Sequence, residues 1–274
     1  MYAKPQTAHH LEFTMRHSSL FVVLTLAFAT SATSATSQDK KLPEKKDLPK
    51  VLYAIPLIAK PGEKQKITLR GKFLAAVKEV KVSGADGAKL KFLAAKAAGV
   101  PNNYPAERIG DSEVEVELEL PKDAKPGEVK LTAIGPAGES SAYTLLMRDG
   151  TPVVAEKEPN DGFEQTQPIA VPSAVEATIK GERDVDVYKI EGKKGDKLRI
   201  EVQAARFGSP VDAMLVLYDA GRAVVDSAGG TANNPDPVLV VTLPKDGAFI
   251  LSVLDANDLG GGNFGYRLVV KADK

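Results

Sequence analysis

The 274-residue sequence contains no cysteine and no tryptophan. Disulfide bonds therefore contribute nothing to stability, and the fold must rely on burial of apolar side chains, which make up 43% of the residues. Histidine is present only as His9, His10 and His17, near the start of the chain. The rest of the chain therefore cannot form a Ser-His-Asp triad, a Cys-His pair or an ordinary zinc site. Carboxylate-only chemistry remains formally open, but nothing in the sequence suggests it, and we predict that the protein is not an enzyme.

The sequence also lacks an excess of positive or of negative charge. The chain has 36 Lys and Arg residues and 36 Asp and Glu residues, so its formal net charge is zero. Nucleic-acid binding depends on a basic surface, and a balanced composition gives it little support. We therefore expect no nucleic-acid partner.

Long hydrophobic runs are absent as well. A short positive start, Met15–His17, precedes an apolar run, Leu20–Ala29, and small residues follow from Thr30 to Ser37. This order predicts a secretory signal peptide within a leader, residues 1–37. The apolar run is shorter than the ~20 residues that a membrane span needs. We expect export to the periplasm or the cell exterior, with no integral membrane segment after cleavage.

Residues 38–50 are charged and contain two prolines, which is typical of a flexible linker. Residues 51–148 then show short apolar stretches between Pro-Gly turns, the pattern of a β-sandwich. The clearest stretch is Ser112–Leu120, where valine or leucine alternates with glutamate; the glutamates form either an acidic binding surface or the solvated side of a sheet. For Lys89–Gly99 the pattern leaves a short helix and an irregular strand open.

Several features of residues 51–148 occur in the order found in immunoglobulin-like domains of the IPT/TIG class. They are Gly62, the stretch Ile67–Gly71, the run from Pro121 to Leu131 and Gly138 before a last strand. The first module resembles that class, and the resemblance implies an Ig-like β-sandwich.

Residues 149–274 contain a second set of about eight predicted strands, separated by Gly-, Asn- and Asp-rich turns. Ala213–Tyr218 is a continuous apolar run, which predicts a central strand that is buried on both faces. The fold class predicted for the whole chain is all-β: two tandem β-sandwiches, of which the second is jelly-roll-like.

Side chains that carry oxygen donors gather near the start of the second module. The candidate ligands are Glu156, Glu158, Asn160, Asp161, Asp184 and Asp186. Pro159 favours an extended backbone before it, and alternate side chains of an extended chain share a face. Calcium takes 6–8 such hard oxygen ligands, whereas zinc prefers His or Cys. The alternative is an acidic, solvated turn without a metal.

Residues 154–270 resemble the bacterial pre-peptidase C-terminal (PPC) domain, a family that includes the collagen-binding domains of clostridial collagenases. The matching features are Glu158–Asp161, Asp184–Tyr188, Gly195–Asp196, Ser209–Asp219 and Gly265–Val270. In calcium-binding members, the ligands come from a Glu-x-Glu-x-Asn-Asp run and a later aspartate. The resemblance thus implies calcium ligands at the six positions above, although the family's second aspartate lies slightly farther along than Asp186.

Together these features predict a secreted, non-catalytic binding or scaffold protein with a calcium-stabilised PPC-like module. Its expected partner is an extracellular protein or polysaccharide. The alternative is a carbohydrate-binding or carbohydrate-active β-sandwich protein.

Overall fold

The computed structural model describes residues 48–100, 104 and 106–273. This part of the chain contains twenty strands, one four-residue α-helix, α1 (Ala106–Ile109), and a 3₁₀ turn (Ala205–Phe207). The predicted all-β class with β-sandwich modules is confirmed. The predicted leader and residues 38–47 of the predicted linker lie outside the described residues.

A membrane-spanning helix was not expected after the leader. In the described part of the chain, no helix is long and apolar enough to cross a membrane.

Ten strands precede residue 148. They are β1 (Lys50–Ile55), β2 (Ile58–Ala59), β3 (Lys64–Lys72), β4 (Glu79–Ser83), β5 (Lys89–Ala97), β6 (Ser112–Glu119), β7 (Lys130–Gly135), β8 (Gly138–Glu139), β9 (Tyr143–Thr144) and β10 (Leu146–Met147). One sheet has the order β1-β3-β6-β5, and the facing sheet has the order β4-β7-β8, with β9 also paired to β7. Strands β2 and β10 form a separate parallel pair.

Strand β6 shows the predicted period of two. Val114, Val116 and Leu118 are buried in the core, and the intervening glutamates face the other side. Those glutamates pair with lysines of the flanking strands, as in the Lys66–Glu115 contact of 2.7 Å. The glutamate face is therefore a cross-strand ladder of ion pairs on the solvated side of the sheet.

Of the two alternatives left open for Lys89–Gly99, the structure adopts the irregular strand. Strand β5 pairs with β6, and its register shifts between Phe92 and Ala94. The shift turns Leu93 outward, where 40% of its surface is exposed. A β-bulge of this kind disrupts the regular apolar alternation, which explains the ambiguous sequence pattern.

Ten further strands follow residue 152. They are β11 (Val153–Ala155), β12 (Gln167–Pro168), β13 (Ser173–Thr178), β14 (Val185–Gly192), β15 (Lys197–Gln203), β16 (Ala213–Asp219), β17 (Val224–Gly229), β18 (Val238–Thr242), β19 (Gly247–Asp255) and β20 (Gly265–Ala272). They form two five-stranded sheets with the orders β11-β13-β20-β15-β18 and β12-β14-β19-β16-β17. Strand β11 runs parallel to β13, and β12 runs parallel to β14.

The prediction for Ala213–Tyr218 needs correction. Burial alternates along β16, so one face packs into the core while Met214, Val216 and Tyr218 on the other face are only partly buried. The strand lies between β19 and the edge strand β17, and in the described structure its outer face is not completely covered. Its neighbour β17 was not predicted, because most of its residues are exposed and lack apolar alternation.

The buried side chains form two large clusters. All buried members of the first lie between Ala54 and Met147, and all those of the second lie between Ile169 and Val270. The predicted domain boundary, between residues 148 and 149, falls between the two clusters and stays a prediction.

Two consecutive residues at this boundary are held by neighbouring strands of one sheet in the second half, β13 and β20. Arg148 makes a bidentate contact with Glu176 of β13, at 2.5 and 2.8 Å. Asp149 accepts a hydrogen bond of 2.6 Å from the buried Arg267 of β20. Because Glu176 and Arg267 face each other across the β13–β20 ladder, the two ion pairs clamp the connection between the halves at one point.

We expect Asp149→Asn to destabilise the protein at neutral pH and to weaken its sensitivity to acid. Burial raises the pKa of Asp149, but hydrogen bonds from Arg267 and Thr151 outweigh it and hold that pKa well below the usual value. A depressed pKa gives stability that is present above pH ~4 and is lost as the pH falls further.

The measurement is the melting temperature of Asp149→Asn and of the unchanged protein between pH 3 and pH 7. The difference between them should be largest near pH 7 and should shrink toward pH 3. A difference that stays constant across this range would rule out the ionised Asp149–Arg267 pair as its source.

Candidate metal centre

The candidate site forms where the segment after β11 meets the start of β14. Buried Gln167 braces the segment, since its side chain accepts a hydrogen bond from the Lys157 amide and donates one to the Ala155 carbonyl. The Val187 amide of β14 donates to the Asn160 carbonyl at 2.8 Å. These contacts bring residues 156–161 next to the start of β14.

Three of the predicted ligands converge. Glu156, Glu158 and Asp186 each offer one carboxylate oxygen, and these three oxygens lie within 4.8 Å of one another. Asp186 is fully buried, Glu156 is partly buried and Glu158 is exposed. The group therefore has a closed inner end and an outer end that is open to solvent.

Asp186 is the innermost member. Its Oδ2 accepts a hydrogen bond of 2.5 Å from Tyr266, whose hydroxyl also lies 2.8 Å from that of Tyr188. Its Oδ1 is buried and has no hydrogen-bond partner among the described residues. Burial, with smaller contributions from the neighbouring carboxylates, raises the pKa of Asp186 to about 8 despite the Tyr266 hydrogen bond. Burial also raises the pKa of Glu156.

Asn160 lies between the two segments. The backbone amide of Asn160 donates to Glu158 Oε2 at 3.1 Å, and its backbone carbonyl accepts a hydrogen bond from the Val187 amide. Its side chain is fully buried, yet neither Oδ1 nor Nδ2 has a partner within the described part of the chain. An unpartnered buried amide costs about 1–3 kcal/mol, so such a group calls for a ligand.

The structure does not bring the other two predicted ligands into the group of three. Asp184 precedes β14, and its Oδ2 accepts the Lys180 amide at 2.5 Å. Asp161 is exposed and lines a shallow depression with Glu158 and Asp184. The family pattern favoured Asp184 over Asp186, whereas the geometry places Asp186 against Glu156 and Glu158. Ligation by any of the six residues stays a prediction.

Three residues of the site were not predicted as part of it: Lys180, Tyr188 and Tyr266. The Lys180 ammonium lies 2.6 Å from Glu158 and 3.6 Å from Glu156. In an extended chain, Lys180 and Thr178 point to the same face. Only the pairing of β13 with its neighbours shows that this face meets the acidic residues. Tyr266 reaches the site because it pairs with Ala177 across the β13–β20 ladder, and a single sequence gives no signal of that register.

The donors suit a hard cation. They are carboxylate oxygens and one amide oxygen, which match calcium and magnesium, whereas zinc sites use His or Cys. The buried oxygens without partners, Asp186 Oδ1 and Asn160 Oδ1, fit inner ligands of such an ion. Exposed Glu158 leaves room for water ligands, which calcium sites commonly retain.

Two other loops rich in side-chain oxygens, residues 233–236 and 255–258, each hold an aspartate whose carboxylate stabilises a turn. Both carboxylate oxygens of Asp236 accept hydrogen bonds at the 3₁₀ turn, from the amides of Ala204–Arg206 and from the Arg206 side chain. Asp255 accepts amides of Asp212, Asn257 and Leu259. Their oxygens are already used to hold turns together, as Asp side chains commonly do.

Comparison with known proteins gives a family match for part of the second half of the chain. The model of the bacterial pre-peptidase C-terminal domain matches residues 184–255. A Deinococcus radiodurans protein described as a probable subtilase-type serine protease is 37% identical over 109 residues, which is 39% of this chain and 15% of that protein. The chain thus matches only a small part of this relative.

Among solved structures, the pre-peptidase C-terminal domain of a Bacillus anthracis collagenase is 19% identical, with a TM-score of 0.33. The similarity covers 42% of this chain and 100% of that domain. SGBP-B of the Bacteroides ovatus mixed-linkage glucan utilization locus is 8% identical, with a TM-score of 0.22, over 79% of this chain and 72% of that protein.

Proposed function

Because residues 184–255 carry a bacterial pre-peptidase C-terminal domain, we propose that the protein is a secreted, non-catalytic binding or scaffold protein in which calcium stabilises this domain. Glu156, Glu158 and Asp186 hold the ion, with Asn160 as a further ligand. The observation that carries the proposal is the buried, unpartnered Oδ1 of Asp186 beside two other carboxylates.

Electrostatics supports a bound cation. Two unit charges about 4 Å apart repel by roughly 1 kcal/mol in water and roughly 4 kcal/mol near a protein surface. Three carboxylates within 4.8 Å therefore oppose folding unless a proton or a cation neutralises them. A divalent ion removes this repulsion. It stabilises the folded state by an amount that grows with the logarithm of the ratio of ion concentration to dissociation constant.

Calcium fits this site better than magnesium does. The donors come from separate segments and differ in burial, which suits the flexible geometry and 6–8 ligands of calcium. Magnesium requires a near-ideal octahedron and retains more of its own water.

A binding role, in place of catalysis, follows from the domain type and from the residues available. The PPC domain is a non-catalytic domain. After His17 the chain has neither His nor Cys, which removes the usual nucleophile–base pairs. The protease relative matches this chain over only 15% of its length, and its activity is not transferred here. The proposed partner is an extracellular protein or polysaccharide.

The test is the melting temperature of the full chain in excess chelator and in millimolar calcium. At 100 times the dissociation constant, a ligand adds about 2.7 kcal/mol, which corresponds to a rise of about 5–10 °C. The double variant Glu158→Gln with Asp186→Asn should abolish the rise.

Glu182→Gln provides a matched control, because Glu182 is exposed beside the same depression but lies outside the group of three. It should keep the full calcium response. Asp184→Asn, which changes the ligand that the family pattern favours, should lose less of the response than the double variant. Superimposable curves with calcium and with chelator would refute the calcium part of the proposal.

A further inference from the structure

Lys180 brings a positive charge to the open end of the site. It lies two residues beyond the end of β13, and its Nζ is 2.6 Å from Glu158 Oε1 and 3.6 Å from Glu156 Oε2. The Lys180 ammonium donates a hydrogen bond to Glu158 Oε1. The side chain thus supplies a cation to two of the three carboxylates.

The backbone of this residue is fixed, whereas its side chain is not enclosed. The Lys180 amide donates to Asp184 Oδ2, and the preceding Ile179 amide donates to the Phe264 carbonyl. By contrast, 53% of the Lys180 side chain is exposed. The ammonium can therefore leave the carboxylates by rotation of its own side chain, without movement of the backbone.

The ammonium neutralises the site only at its rim. Its contacts are with Glu156 and Glu158, and no ion pair joins it to Asp186 in the described structure. Asp186 Oδ1 remains buried and unpartnered. The inner end of the site therefore still lacks a positive charge when Lys180 is in place.

A divalent ion and the ammonium cannot share this position. Calcium binds carboxylate oxygens at 2.3–2.6 Å, which is as close as the Lys180 ammonium lies to Glu158. Two cations that contact the same oxygens would repel each other, so the lysine must move outward when the ion binds.

We propose that Lys180 is a tethered counter-ion that competes with the divalent ion for Glu156 and Glu158. It stabilises the metal-free fold and sets the calcium concentration at which the ion binds. This role rests on the calcium site proposed above. Lys180 is thus a regulatory residue of that site and not one of its ligands.

The test is calorimetric titration of the metal-free full chain with calcium chloride, for the unchanged protein and for Lys180→Met. We expect Lys180→Met to bind calcium at least ten-fold more tightly and, in chelator, to melt at a lower temperature. Lys180→Arg keeps the charge and should retain weak binding. Lys157→Met removes an exposed lysine between Glu156 and Glu158 whose ammonium makes no ion pair in the described structure, and it should change the affinity less than two-fold.

The possible results separate this inference from the site on which it rests. Calcium binding by both proteins with equal affinity, or weaker binding by Lys180→Met, would overturn the competition while leaving the calcium site intact. Binding by Lys180→Met alone would support the competition. Absence of binding in both would overturn the calcium site and the role of Lys180 together.

Discussion

Asp186→Asn is expected to stabilise the protein in chelator and to destabilise it in calcium, relative to the unchanged chain. Asparagine has nearly the same shape, and its oxygen can still accept the hydrogen bond from Tyr266. Because the pKa of Asp186 is raised to about 8, the metal-free fold must bind a proton there at neutral pH, whereas asparagine is neutral without one and its amide group can donate to Glu156. In calcium, the same change removes the innermost charged ligand of the ion.

Urea unfolding of both proteins, in chelator and in millimolar calcium, measures these opposite effects. We expect a gain of about 1–2 kcal/mol at neutral pH without calcium, since asparagine avoids the cost of protonating a buried carboxyl group. With calcium we expect a net loss of about 1–2 kcal/mol, because the unchanged chain gains about 2.7 kcal/mol from bound ion at 100 times the dissociation constant and the variant does not. Glu191→Gln, an exposed carboxylate farther along β14, should show neither effect. An effect of the same sign in both conditions would contradict a cation-binding role for Asp186.

Arg70→Met is expected to be among the most destabilising single changes in the first half of the chain. The Arg70 side chain is buried in β3 and donates to the carbonyls of Gly99, Ile109 and Gly110. It also pairs with Glu113 at 3.2 Å. Methionine fills similar volume but leaves these carbonyls and a mostly buried carboxylate without their donor. Loss of one partner of a buried ion pair costs about 3–5 kcal/mol.

The effect of Arg70→Met should appear as a lower urea midpoint in both chelator and calcium, because Arg70 is remote from the metal centre. Lys72→Met is a matched control two residues along the same strand, where the lysine makes only an exposed ion pair with Glu107. That control should cost less than 1 kcal/mol. A cost below 1 kcal/mol for Arg70→Met would show that the buried hydrogen bonds do not stabilise this half.

Periodicity predicted the strands whose two faces differ in environment. Strand β6 was clear because its valines enter the core while its glutamates pair with lysines. Strand β17 was missed because it lies at a sheet edge and most of it is exposed. Strand β16 was assigned two buried faces because its outer side chains are apolar, and apolar composition alone does not establish what covers a face.

Sequence predicted part of the geometry of the candidate site. The i, i+2 spacing of Glu156 and Glu158 correctly indicated that they lie together. The same rule grouped Asp184 with Asp186, but β14 begins only at Val185, so Asp184 is used in the preceding turn. The contacts of Lys180 and Tyr266 depend on the pairing of β13 with β20, which are distant in sequence.

The clamp at the boundary was unpredictable for the same reason. The Arg148-Asp149-Gly150 stretch indicates a turn, and nothing in it reveals partners on β13 and β20. Those partners are Glu176 and Arg267, which face each other only after the sheet has formed. Long-range pairing therefore determines both the clamp and the inner end of the candidate metal centre.

The most direct measurement is a crystal structure of the full chain grown in calcium. We predict an electron-density peak about 2.3–2.6 Å from oxygens of Glu156, Glu158 and Asp186, with Asn160 Oδ1 turned toward it and the Lys180 ammonium displaced. If crystals grown in millimolar calcium show no ion at this position, and the Lys180 ammonium still contacts Glu156 and Glu158, the account is contradicted.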